Sequence, residues 1–146
     1  MENYQKAQAS GESISLLAND GAGATQKAIT ADTTLSADES GKTILLDAVG
    51  EVITLPAVAS SAGFKYKFLC TVTTATTDWT IVAATNVIQG SAQVAGAVIA
   101  ASNENTITLV VAKFLPGDWV TLECDGTNWY AEGSVVTTVG LTFTAP

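Results

Sequence analysis

The run between residues 64 and 72 does most to limit what this chain can fold into. Phe64, Tyr66, Phe68, Cys70 and Val72 alternate with Lys65, Lys67 and Thr71. Side chains of a strand point to opposite faces in turn, so this period of two sets an aromatic face inward and a polar face outward. The pattern recurs at Ile107, Leu109 and Val111 against Thr106, Thr108 and Val110, and again at Val120, Leu122 and Cys124 against Thr121 and Glu123. Asp125–Gly126 is a strong hairpin signal, because that pair accepts positive φ, and Trp129 and Ala131 follow on the return strand before Gly133.

Shorter elements fill the gaps. Thr43–Leu46 and Val52–Leu55 are apolar runs joined by Asp47, Ala48, Val49 and Gly50, which reads as a hairpin, and Pro56 ends the second run. Thr80–Ala83 is a further strand entered through Trp79, and Val87 and Ile88 lead to Gly90. Val94–Ala101 reads as a buried strand or a short helix, since alanine and glycine blur the period. Asn103–Asn105 and Pro116–Asp118 read as turns, and Val135–Phe143 as an edge strand or an exchanged tail. Abundant threonine and valine suit pleated sheets. Short strands divided by regular turns predict an all-β fold, a small β-sandwich or barrel-like domain over residues 31–146.

Residues 1–30 read differently, as an extended N-terminal arm and linker. Asn19–Thr25 is small, polar and glycine-containing, and before it Ile14, Leu16 and Leu17 form an isolated apolar patch, with Tyr4 upstream. A lone apolar strand cannot bury itself, so Tyr4, Ile14, Leu16 and Leu17 are the expected docking residues, on a partner protein or a neighbouring subunit. A frayed terminus is the alternative.

Composition narrows the partners. The chain has 146 residues, 47% hydrophobic and only 14% charged, against about 25% charged in ordinary soluble domains. So little charge covers a small surface poorly, which favours a homo-oligomer. Net charge is −8, all six cations are lysine, and there is no histidine. An acidic chain lacking the arginine fork is a poor ligand for nucleic acid or an anionic membrane. Met1–Ser10 lacks the pattern of a signal peptide and Val94–Ala101 is too short to cross a bilayer, so synthesis in the cytoplasm is expected. Cys70 and Cys124 share inward register with core residues and read as buried free thiols, with a cross-strand disulfide as the alternative. No metal and no cofactor is expected.

Catalytic patterns are incomplete. Gly41–Lys42–Thr43 copies the end of a phosphate loop, but Ser36 stands where its first glycine belongs and a strand-like run follows. Ser36 and Glu39 instead suit a capping box, with Gly41 turning the chain into the next strand. Gly21 and Gly23 start a dinucleotide fingerprint that Gln26 breaks. Asp118, Glu123, Asp125 and Glu132 are acids for a glycosidase or a weak calcium site on paper, but are expected on the solvated surface. Asn128, Trp129 and Tyr130 beside Asp125 have sugar-binding chemistry, although Trp79, Trp119 and Trp129 are expected in the core. The expectation is a non-enzyme.

One series of segments carries a family likeness. Leu35, Ser36, Ala37, Asp38, Glu39, Ser40, Gly41 and Lys42 open it, and Ile53, Thr54, Leu55 and Pro56 follow. Then come Ala62, Gly63, Phe64, Tyr66 and Phe68, an Ile88–Gln89–Gly90 turn, and Trp129 before Gly133. In this order the chain resembles, over residues 33–133, the small head-decoration proteins of tailed bacteriophages. The resemblance implies a β-rich homotrimer bound to the major capsid protein on the outer surface of the virion, at threefold or quasi-threefold positions. Such subunits cement capsomers against internal DNA pressure and carry no catalytic residues. The alternatives are a carbohydrate- or receptor-binding module of a phage head or tail fibre and, less compatible with a chain lacking histidine, a small hydrolase.

Overall fold

The computed structural model describes residues 25–46, 49–72 and 76–146. In chain order the strands are β1 Gln26–Ile29, β2 Thr33–Thr34, β3 Thr43–Leu46, β4 Val52–Thr54, β5 Lys65–Cys70, β6 Trp79–Val82, β7 Ile88–Val94, β8 Ala97–Glu104, β9 Thr106–Leu109, β10 Trp119–Cys124, β11 Trp129–Val135 and β12 Leu141–Thr144. They form a seven-stranded sheet, β1-β3-β5-β10-β11-β7-β8, and a five-stranded sheet, β12-β9-β6-β4-β2. The expected all-β, sandwich-like domain is therefore what forms. β1 falls inside the segment 1–30 that the sequence sets apart as an arm, and its Ile29 is in the core.

Alternation builds that core. Tyr66, Phe68 and Cys70 of β5 and Val120, Leu122 and Cys124 of β10 are buried, while Lys65, Lys67 and Glu123 face out. Trp129 packs on Tyr66 with ring centroids 5.6 Å apart, and Trp79 meets Phe114 edge to face at 6.3 Å. Burying such large side chains is the main stabilising term of the fold.

The first half has a topology that the sequence reading missed. From β1 to β6 the chain alternates between the two sheets, and each strand runs parallel to the one two before it. The expected hairpin of Thr43–Leu46 with Val52–Leu55 is therefore wrong. β3 and β4 lie in different sheets, and Ile44 and Leu46 bury against the same core as Ile53 and Leu55. The physical reason is at the corners. Gly50 lies so close under the carbonyls of Thr77 and Asp78 that no Cβ fits. Thr77 Oγ1 donates to Gly50 O at 3.2 Å, and Val52 N donates to Asp32 Oδ1 at 2.8 Å. Each corner thus stacks on a neighbouring one and carries the chain across the sandwich instead of back along the same sheet.

Three further expectations are corrected. Val94–Ala101 is neither one strand nor a helix: Ala95 and Gly96, at φ +51° and +82°, are the tip of the β7–β8 hairpin. Ile88–Gln89–Gly90 is not a turn but the bulged start of β7, with Gly90 at φ +120°. Asn103 and Glu104 belong to β8, and only Asn105 separates it from β9 in the other sheet. The C-terminal segment supplies β12, an edge strand paired with β9 of its own chain, rather than an exchanged tail.

The local predictions around residue 36 hold. Ser36 Oγ accepts from Asp38 N, and Glu39 Oε2 accepts from Ser36 N at 2.8 Å, completing the capping box. Gly41 then turns at φ +84° into β3. Both cysteines are buried and free. Cys70 N donates to Asp118 O and Cys124 N to Phe64 O, at opposite ends of the β5–β10 pair. That places them six residues, about 20 Å, apart along the strands, far beyond the roughly 7 Å Cα limit of a disulfide.

Candidate interaction surfaces

Register decides what the outer face of the seven-stranded sheet displays. One row across it is Thr43, Lys67, Thr121, Glu132 and Ser91, and the next is Leu45, Leu69, Trp119, Ser134, Gln93 and Val98. A third row carries Lys65, Glu123, Tyr130 and Gln89. Trp119, expected in the core with Trp79 and Trp129, is instead half-buried on this face, because Val120 takes the inward position. The Lys67 ammonium lies 5.6 Å from the centroid of its ring, within cation–π range.

Two depressions mark this face. Lys42, Lys65 and Lys67 border one of about 400 Å³ with Thr121 and Glu123, which gathers three of the six lysines of an acidic chain. Lys65 pairs with Glu123 at 3.1 Å, but both are more than half exposed, so the pair adds little stability. The second, about 360 Å³, has Trp119, Gln93, Glu132, Ser91 and Ser134 on its walls.

A third feature lies on the flank where the two sheets end. β8 and β12 are edge strands of different sheets, and between them runs an apolar groove of about 380 Å³. Val94, Ile99, Val139, Leu141 and Phe143 line it. Val139 is 53% exposed, and Val98 on the adjoining face of β8 is 67% exposed. Sequence reading missed this flank because its residues come from three separate elements. The traceable signal was the uncharged run 94–101, which the groove borders.

The acids singled out in the sequence are engaged in bracing loops. Asp118, expected at the surface, is buried: Oδ2 accepts from Leu115 N at 2.8 Å and Oδ1 from Val136 N at 3.1 Å. Asp125 accepts from Thr127 N and Asn128 N, both at 2.7 Å, and from Tyr130 Oη at 3.2 Å. Those backbone donors hold its carboxyl below the ordinary range. Trp129 is fully buried, so of the supposed sugar-binding group Tyr130 alone has an exposed ring. Burial raises both thiols; Cys70 Sγ lies 3.0 Å from Val72 O, and Gly126 N donates to Cys124 Sγ at 3.4 Å. Gly41–Lys42–Thr43 leads into a strand and not a helix, so the phosphate-loop geometry is not formed.

Tyr4, Ile14, Leu16 and Leu17 lie outside the described residues. Among the described residues no cluster of three or more His, Cys, Asp or Glu is placed to hold a metal ion, and no helix is long and apolar enough to cross a membrane. Compared with protein-family models, with curated proteins and with solved structures, the chain matches none.

Proposed function

We propose that this protein is a structural subunit that decorates the outer surface of a tailed-phage capsid and stabilises the head through contact with the major capsid protein. The observation that carries this reading is the use to which the chain puts its polar chemistry. Asp32, Asp118 and Asp125 each accept from backbone N–H groups, and Glu39 closes a capping box, so these carboxylates brace corners and turns. The features left facing outward are broad strand faces and an apolar flank, which suit contact with other proteins. The segments that carry the family likeness take scaffold positions: Leu35, Ile53, Leu55, Tyr66, Phe68 and Trp129 are all core residues. The test is co-sedimentation of the purified protein with undecorated heads. Saturable binding that raises the temperature at which heads release DNA is expected; protein left wholly in the supernatant would refute the reading.

A carbohydrate-binding role is the second reading, and Trp119 favours it. A partly exposed indole beside the amide of Gln93, the carboxylate of Glu132 and the hydroxyls of Ser91 and Ser134 offers stacking and hydrogen bonding together. Glycan-array binding that Trp119→Ala abolishes would support it, and a blank array would dismiss it.

A further inference from the structure

The groove between β8 and β12 needs an occupant. Soluble proteins blunt exposed sheet edges with charge, proline or shortness. The opposite flank follows that rule: β2 has two residues, and β1 carries Lys27 paired with Glu39. β8 does not. It is the longest of the described strands, with eight residues, and Ala97–Ala101 contains neither charge nor proline. β12, Leu-Thr-Phe-Thr, is also uncharged. Among the described residues, two unpaired edges from different sheets therefore flank one apolar groove, which is the form of an acceptor for an added strand.

We infer that this groove receives residues 13–17 of a neighbouring copy, linking the chains head to tail into a closed ring. Ile14 and Leu16 are two apart, so an extended segment presents both to one face, as an apolar groove requires. Twenty-four residues precede the described fold, which begins beside β1. β1 and β8 are the two opposite edges of the seven-stranded sheet. Six inter-strand spacings separate them, about 29 Å, and a path into the groove must also turn a corner of the sandwich, about 10 Å thick. Leu17 precedes Gln26 by nine residues, which reach about 32 Å at full extension. The chain's own arm would have to run fully extended around the sheet to approach its own groove, whereas a copy placed flank to flank brings donor and acceptor together. Donor and acceptor on opposite flanks make a heterologous contact, which either closes as a ring or grows as a filament. A ring of three rests on the capsid-decoration reading above, where the subunit sits on a threefold position.

The test uses the full chain without heads. Ile14→Cys combined with Val139→Cys, mildly oxidised, is expected to give covalent oligomers that stop at ring size on a non-reducing gel. Either single variant should give none. A bridge confined to single chains, or no bridge, would overturn the inference. A second variant, Ile14→Asp, is expected to lower the sedimenting mass by the ring number, to the 14.9 kDa of one chain. An unchanged mass would overturn it as well. A ring that ignores heads would refute the decoration reading alone, and a monomer that binds heads would refute the ring alone.

Discussion

Gly90 offers the sharpest test of the bulged β7. It sits inside the seven-stranded sheet, paired with Ala131 on one side and Ala101 on the other, at φ +120°. A Cβ there would overlap the Ala131 carbonyl oxygen and approach Ala131 N to 2.9 Å. Both are backbone atoms held by the ladder, so neither can swing away. Two costs add in Gly90→Ala. A side chain forced into that φ region costs about 1–3 kcal/mol, and overpacking against a fixed neighbour about 1–3 kcal/mol more. The expected loss is about 4 kcal/mol, a large share of the 5–15 kcal/mol that holds a domain together. For a domain near this size that lowers Tm by about 8–16 °C. Gly41→Ala is the control, because Gly41 also has positive φ, +84°, but its added Cβ would meet nothing within 4 Å. Only the backbone term applies there, about 1 kcal/mol, which urea denaturation resolves. If Gly90→Ala costs no more than Gly41→Ala, the close approach of β7 and β11 is wrong.

Two further outcomes are expected. Glu39 is held down to about 2 from 4.5, first by the hydrogen bond from Lys27 and then by Ser36. A depressed folded value means its contribution is complete above pH 4.5 and is lost as pH falls through about 2. The urea midpoint should therefore drop across that window, and Glu39→Gln should flatten this part of the drop. Asp118→Asn places an amide N–H against Leu115 N or Val136 N, both now donating to carboxylate oxygens. A buried donor without an acceptor should cost about 2–3 kcal/mol in chemical denaturation, and no loss would show that water reaches the site.

Much of the fold was legible because alternation records burial directly. β5, β9, β10 and β11 each show in the sequence as inward residues spaced by two, and Ser36, Glu39 and Gly41 announce a cap and a turn through local chemistry alone. Partner choice between strands is not local. Thr43–Leu46 and Val52–Leu55 have the same apolar content whether they fold back as a hairpin or arch across two sheets. What separates the two is Gly50 fitting beneath the Thr77 and Asp78 carbonyls, a contact between residues 27 and 28 positions apart. Ala95 and Ala112 show the same limit at single residues: their φ values, +51° and +60°, belong to a region that sequence assigns to glycine or asparagine. At Ala95 the paired β7 and β8 impose the turn. The interaction surfaces were the least legible for a related reason. Alternation marks which side chains leave the core, but Val120 and Trp119 are adjacent, and which of two large apolar residues turns outward depends on the strands to either side. The groove makes the point at larger scale. Val94, Ile99, Val139 and Phe143 each read as ordinary strand residues, and only the ending of two sheets on one flank turns them into a surface that the described residues leave uncovered.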